Sequence, residues 1–203
     1  MPTHEEALTL ARYARSCIRE ALGGPPATAP RGASFDELGA AFVSLHGPGG
    51  RLQGCIGTLE AHRSLAEDVA KNARAAALHD PRGRPLDLDD VDVLEVEVTV
   101  LGPLERIVAE DEAEARAALR AGTDGVVLAW GGRRATFIPQ MWVHFGDAER
   151  LLEELKQKAG LPPHFWASDI ALSRYTAIIA VDPPRVTERR SAEPALEAEP
   201  RRR

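Results

Sequence analysis

Between Leu94 and Leu101 the chain alternates without a break: Leu94, Val96, Val98 and Val100 hold one parity, Glu95, Glu97 and Thr99 the other. A strand repeats its side-chain direction every two residues, so this run buries its apolar set as a strand with one face on a core. The other face meets water, an arrangement common in antiparallel sheets and rare in parallel ones. On this reading Glu95 and Glu97 are the wet side of the strand, with a carboxylate pair for acid/base work as the weaker alternative.

The segments around it supply partners. Thr3-His4-Glu5-Glu6 is a capping box, followed by Ala7, Leu8, Ala11, Ala14, Ile18 and Leu22 at helical spacing and a stop at Gly23-Gly24. Cys17 falls within that helix, where packing accounts for it. Ala40–Leu45 and Arg51–Ile56 read as a hairpin joined through His46 to Gly50, with Cys55 near the end of its second strand. Ser64–Glu67 is a second capping box, opening a helix that carries Leu65, Val69, Ala73 and Ala76 and ends at Asp80–Gly83.

Glu110–Leu119 reads as a polar surface helix closed by Gly122. Val126–Trp130 and Arg133–Ile138 bracket Gly131-Gly132, a two-residue hairpin turn, and Arg133-Arg134 decorates it. Asp147 caps a helix bearing Leu151, Leu152 and Leu155, Gly160 ends it, and Tyr175–Val181 is a final strand. Helices interspersed with hairpins predict an α+β fold, a mostly antiparallel sheet flanked by helices. Residues 1–182 form the folded part. From Pro183 to Arg203 the mixture of charge and proline describes a disordered tail.

Composition removes several function classes. A formal net charge of −6 opposes attraction to phosphate backbones, so no nucleic acid is expected as partner. No apolar run approaches the roughly 20 residues that span a bilayer, so no membrane is expected either. Glu5 and Glu6 stand where a signal peptide carries basic residues. Two cysteines in unlike contexts form no disulfide framework, which favours a reducing cytoplasm. No CxxC, HxH or HExxH spacing points to a metal, and no phosphate-binding glycine loop points to a cofactor.

Cys55 leads the candidate site residues, within Leu52-Gln53-Gly54-Cys55-Ile56-Gly57. Its thiol reads either as a nucleophile or ligand contact, with Gly54 and Gly57 admitting close approach, or as a buried structural cysteine. A nucleophilic cysteine needs a base, and the nearby His46, His62 and His79 read as surface residues. Asp80-Pro81-Arg82 is either an anion clamp built on Arg82 or a helix-ending turn. Thr136, Pro139 and Gln140 form a third group, in which Gln140 offers an amide to a ligand. Trp142 and Trp166 read as core, with the wall of a pocket as the alternative.

The Leu52–Gly57 run resembles the signature of the AMMECR domain family, whose prokaryotic members are called AmmeMemoRadiSam system protein A. The resemblance continues in order through Asp80-Pro81-Arg82, Val98–Leu104, Gly125–Leu128, Ala135–Trp142, Lys158–Leu161 and Trp166. It covers the first helix to about Val181. Two positions depart from the family pattern: Gln53 stands where arginine is usual, and Gly83 where an aromatic residue follows Asp-Pro-Arg. The resemblance implies a smaller subdomain packed against the main sheet, with the signature beside the cleft between them. In that cleft Gln53, Gly54, Cys55, Gly57, Asp80, Arg82, Thr136 and Gln140 would meet a small polar or anionic ligand. It also implies a Memo-like protein and a radical SAM protein as partners, and it brings no settled activity.

Overall fold

The computed structural model describes residues 1–186. Its elements in chain order are α1 (His4–Ala21), α2 (Ala33–Asp36), β1 (Ala40–His46), β2 (Leu52–Gly57), α3 (Leu65–Leu78), β3 (Glu95–Leu101) and β4 (Glu105–Ile107). These are followed by α4 (Glu112–Ala117), β5 (Gly125–Trp130), β6 (Arg133–Phe137), α5 (Trp142–Phe145), α6 (Ala148–Lys158), β7 (Ala171–Tyr175) and β8 (Ala177–Asp182). The strands make two four-stranded antiparallel sheets, in the orders β2-β1-β3-β8 and β4-β7-β5-β6. The fold is α+β, with two sheets where the sequence implied one.

The first sheet carries α1 and α3 on one face. Thr3 caps α1 reciprocally: its hydroxyl accepts from the Glu6 amide at 3.2 Å, and its own amide donates to the Glu6 carboxylate at 2.7 Å. Ala7, Leu10, Ala11, Ala14, Cys17 and Ile18 then line a fully buried stripe against Val43, Leu45, Val96, Val98 and the apolar face of α3. Arg15 is also fully buried. Its guanidinium donates to the Asp182 carboxylate and to the carbonyls of Leu94, Asp182 and Pro183 at 2.9–3.0 Å, fastening the helix to the far end of β8.

The second sheet has its own core of Val126, Leu128, Leu172 and Trp142 under Leu151, Leu152 and Leu155 of α6. Expectation and structure part at Tyr175–Val181. That stretch is two strands in two sheets: β7 ends at Tyr175 beside β5, and β8 begins at Ala177 beside β3. The Gly102 amide donates to the Thr176 carbonyl at 2.7 Å, so the crossing residue still finds a backbone partner. The polar helix at 110–119 is shorter than its charge pattern implies, because Asp111 caps it and Glu112–Ala117 is all that is helical.

Where the sheets meet, Ala40, Leu101, Val127 and Tyr175 form a third apolar cluster with Phe42, Leu59 and Ala177. Order continues past Asp182, since the Arg185 and Val186 amides donate to the Asp92 carbonyl at 2.8 and 3.2 Å. The rest of the expected tail, residues 187–203, lies outside the described residues. Among the described residues no helix is long and apolar enough to cross a membrane.

Candidate functional site

The parity of the first sheet divides its residues. Ala41, Val43, Leu45, Val96, Val98 and Val100 face the helices. Phe42, Ser44, His46, Cys55, Glu95, Glu97 and Thr99 take the opposite face, by alternation and by the cross-strand pairs Ser44 with Cys55 and Ser44 with Glu97. The second sheet covers only one end of that face, where Leu101, Phe42 and Ala177 meet Tyr175. Burial falls along β3 accordingly: Leu101 and Thr99 are buried, whereas Glu97 and Glu95 are partly exposed. The Cys55 row therefore sits at the lip of the junction.

Cys55 is partly exposed, and its sulfur accepts a hydrogen bond from the Ser44 hydroxyl at 3.2 Å. Its backbone is held on both sides. The amide donates to Asp80 Oδ2 at 2.8 Å, and the carbonyl accepts from Arg82 Nη2 at 3.0 Å. Asp80 is buried and also accepts from the Arg82 amide, Nε and Nη2 at 3.0, 2.9 and 2.6 Å. Hydrogen bonding from Arg82 holds the Asp80 carboxyl well below the usual carboxylate range, against the opposing effect of its burial. Asp80-Pro81-Arg82 does end a helix, and it also locks the strand that carries the thiol. Arg82 is engaged by these bonds while 55% of its side-chain surface faces solvent.

The residues flanking Cys55 serve packing. A Cβ at Gly54 would run into the Ala76 carbonyl at the end of α3, and one at Gly57 would enter the Phe42 ring. Close approach is needed at both positions, but the approaching group belongs to the protein. Gln53 is buried, and its amide donates to the Arg84 carbonyl at 2.6 Å. A Cβ at Gly83 would collide with the Gln53 carbonyl and lie 2.7 Å from its Nε2. The two departures from the family pattern are thus in contact, with Gly83 leaving room for Gln53.

Thr136 spends its hydroxyl inside the second sheet, donating to the Val126 carbonyl at 2.9 Å and lying 3.0 Å from the Tyr175 hydroxyl. The Thr136 carbonyl accepts from Lys158 Nζ at 2.9 Å, and that ammonium lies 4.6 Å from the Phe137 ring centroid. Loss of hydration pushes the Lys158 pKa down; Cys55 opposes this and Arg82 adds to it. Lys158 is therefore near enough to both for their charges to be felt. Reading the sequence does not single it out, because a lysine in the last turn of a helix ordinarily complements the helix dipole.

Gln140 lies in a turn at Pro139–Met141, its Oε1 buried with no hydrogen-bond partner among the described residues. No described contact brings it to Cys55. Arg133 and Arg134 are more than hairpin decoration, since Arg133 donates to the Gly160 carbonyl and Arg134 pairs with Glu60 at 2.6 Å. His46 is half-buried rather than a surface residue, with Nδ1 3.7 Å from the Glu95 carboxylate. Trp142 is core, its Nε1 donating to the Asp124 carbonyl at 2.6 Å, and Trp166 is half-buried against the same cluster.

The cavities lie elsewhere among the described residues. A cavity of about 580 Å³ opens among Met1, Leu38, Leu59, Glu60, Leu101 and Leu104, and another of about 250 Å³ opens beside His46 and Glu95. Cys55 lines neither. Among the described residues no group of three or more His, Cys, Asp or Glu side chains is placed to hold a metal ion.

The family model described as AMMECR1 matches residues 11–180. Protein MJ0810 of Methanocaldococcus jannaschii is 36% identical over 181 residues, covering 87% of this chain and 90% of that protein. Protein Ta0236 of Thermoplasma acidophilum is 31% identical over 192 residues, covering 91% of each. The crystal structure of uncharacterized protein PH0010 from Pyrococcus horikoshii superposes with a TM-score of 0.80 at 34% identity, covering 89% of this chain and 94% of that one.

Proposed function

The chain belongs to the AMMECR1 family, and on that premise we propose that it is a small-molecule-handling enzyme, or enzyme subunit, centred on the Cys55 thiol. The supporting observation is the contrast between its two free cysteines. Cys17 is fully buried and its pKa is pushed up by that burial, which makes it inert. Cys55 is partly exposed at the junction of the sheets, on a backbone fixed by Asp80 and Arg82 and within the field of Lys158.

In this reading the ligand is small and polar or anionic. Lys158 and the outer surface of Arg82 supply positive charge in a chain whose overall balance is acidic. Asp80 orients Arg82, Thr136 holds Lys158 through its carbonyl, and Gln140 serves as a positioning amide if the ligand reaches it. Gln53, Gly54 and Gly57 act through the backbone they shape. A Memo-like protein and a radical SAM protein would supply or consume the ligand, in a reducing cytoplasm where a half-exposed thiol survives.

A second reading, a non-catalytic module binding those two partners, draws on the cavity beside Leu38 and Leu104, both exposed apolar side chains. Alkylation with iodoacetamide, read by peptide mass spectrometry, separates the two. The enzyme reading expects labelling at Cys55 alone, slowed several-fold in Lys158→Met and by bound phosphate or a small carboxylate. Negligible labelling at both cysteines defeats it. Intact function in Cys55→Ser, with loss of complex formation on changing Leu38, establishes the module.

A further inference from the structure

The sheets differ in how their edges are closed. In the first sheet the β2 edge is sealed, with the Cys55 amide held by Asp80 and its carbonyl by Arg82. In the second sheet the β6 edge gives its Thr136 carbonyl to Lys158. β4, at the other edge of that sheet, has no such cover. Among the described residues, no side chain or loop backbone hydrogen-bonds to the backbone of Leu104–Val108. Alternate residues of an antiparallel edge strand turn their N–H and C=O away from the neighbour, and such an edge is a template for a further strand.

Register places Arg106 on the face of Ser173 and Val127, the face that meets the first sheet through Val127 and Tyr175. Leu104, two residues earlier, lines the cavity of about 580 Å³ at that junction, together with Leu101. Arg106 is exposed and makes no ion pair among the described residues, whereas Glu105 on the other face pairs with Arg174 at 3.1 Å. Val108 is 90% exposed, and Leu38 in the cavity wall 69%. That wall carries Glu37 and Glu60 and no lysine, arginine or histidine. An acidic group is therefore disfavoured inside the hollow and favoured at Arg106, about 7 Å from Leu104 along the strand.

We propose that the open edge of β4 and the adjoining cavity are one docking surface for an extended segment of a partner protein. The segment pairs antiparallel with β4. It sets a carboxylate opposite Arg106, an apolar side chain opposite Val108, and a second apolar side chain beside Leu104, where it enters the cavity. Ladder hydrogen bonds supply affinity, and the alternate side chains, one opposite charge between two apolar pairs, supply specificity. A second copy of this chain fits worse. A two-fold pairing of β4 with itself that sets Leu104 against Val108 also sets Arg106 against Arg106, and like charges directly opposite are destabilising. The inference rests on the second reading above, a module binding its partners at this cavity, and does not depend on the thiol.

Two synthetic peptides test this, acetylated and amidated Thr-Val-Thr-Glu-Thr-Leu-Thr and its counterpart with lysine in place of glutamate. Each is titrated to millimolar concentration into the isotope-labelled full chain, and backbone amide shifts are followed by NMR. Shifts should gather at Leu38–Ala40 and Leu101–Val108, and at low salt the glutamate peptide should bind several-fold more tightly than the lysine peptide. Arg106→Glu should reverse that preference, an outcome that mere loss of folding does not produce, and Leu104→Asp should weaken both peptides. Shifts absent from β4, or a preference that Arg106→Glu leaves unchanged, overturn the proposal. Shifts at β4 that grow with protein concentration when no peptide is present show self-pairing and overturn it too. Partner complexes lost in Leu38→Glu but kept in Arg106→Glu, with no peptide shifts at β4, leave the second reading in place and remove this one. Complexes that survive both variants defeat the second reading, and this one with it.

Discussion

Replacing Asp80 with asparagine tests the clamp that presents Cys55. The side chain keeps its size but exchanges one acceptor oxygen for an amide donor. The carboxylate accepts from the Cys55 amide and from three Arg82 nitrogens, so at least one buried donor must then face another donor. A hydrogen bond to a charged group contributes about 1.5–3 kcal/mol. The Arg82 side chain is 55% exposed and rehydrates when released, so its share is discounted. The net loss is about 2–3 kcal/mol, or roughly 4–12 °C in Tm at 2–4 °C per kcal/mol for a chain of this size. Because the folded-state pKa of Asp80 is depressed, its contribution is complete above the unfolded-state pKa of about 3.9. It declines as pH falls from there toward the folded-state value. Urea unfolding followed by tryptophan fluorescence at neutral pH and through the acid range measures both effects. The native protein should lose stability on acidification more steeply than Asp80→Asn, and the two should converge in acid. A difference under about 0.5 kcal/mol at neutral pH, or parallel acid limbs, would refute the assignment of Asp80 as the lock.

Gly54→Ala forces a methyl group against the Ala76 carbonyl. The obstacle is helix backbone, so the cost should reach the upper end of the 1–3 kcal/mol range for overpacking, read from urea midpoints. Arg15→Met strands the buried Asp182 carboxylate and the carbonyls of Val91, Leu94, Asp182 and Pro183, and should cost about 3–5 kcal/mol by the same measurement. A loss under about 1 kcal/mol in either variant would show that the native packing there relaxes freely. Burial pushes the Tyr175 hydroxyl up to about 12 from an ordinary value of 10. Its contribution is therefore complete below pH 10 and is lost as pH rises through 12, by about 3 kcal/mol in all. Tyr175→Phe should remove that share of the alkaline loss and leave the part due to Tyr13, also raised to about 12; unchanged alkaline unfolding would contradict it.

Much of the architecture is local and was readable as such. The capping box at Thr3, the parity of β3 and the Gly131-Gly132 turn each depend on residues a few positions apart, and each is realised, while Ser64 caps its helix through its hydroxyl alone, which accepts from the Glu67 amide. The order of motifs carried the α+β class and pointed at Cys55 and Asp80-Pro81-Arg82. Ser44 and Lys158 were not legible as neighbours of the thiol. They come from two separate segments, and only cross-strand register and the docking of α6 bring them near it.

Alternation along Leu94–Leu101 determined which residues face away from the helices, because side-chain direction is a property of the strand itself. What covers that opposite face was decided by tertiary structure alone. The chain crosses between sheets at Thr176, Tyr175 is pinned at the junction, and the second sheet shelters Thr99 and Leu101 while leaving Cys55 and Glu97 at its lip. No local energy distinguishes a wet strand face from one roofed by a distant segment, since the roof is stabilised by apolar contacts between residues more than seventy positions apart, such as Leu101 and Tyr175.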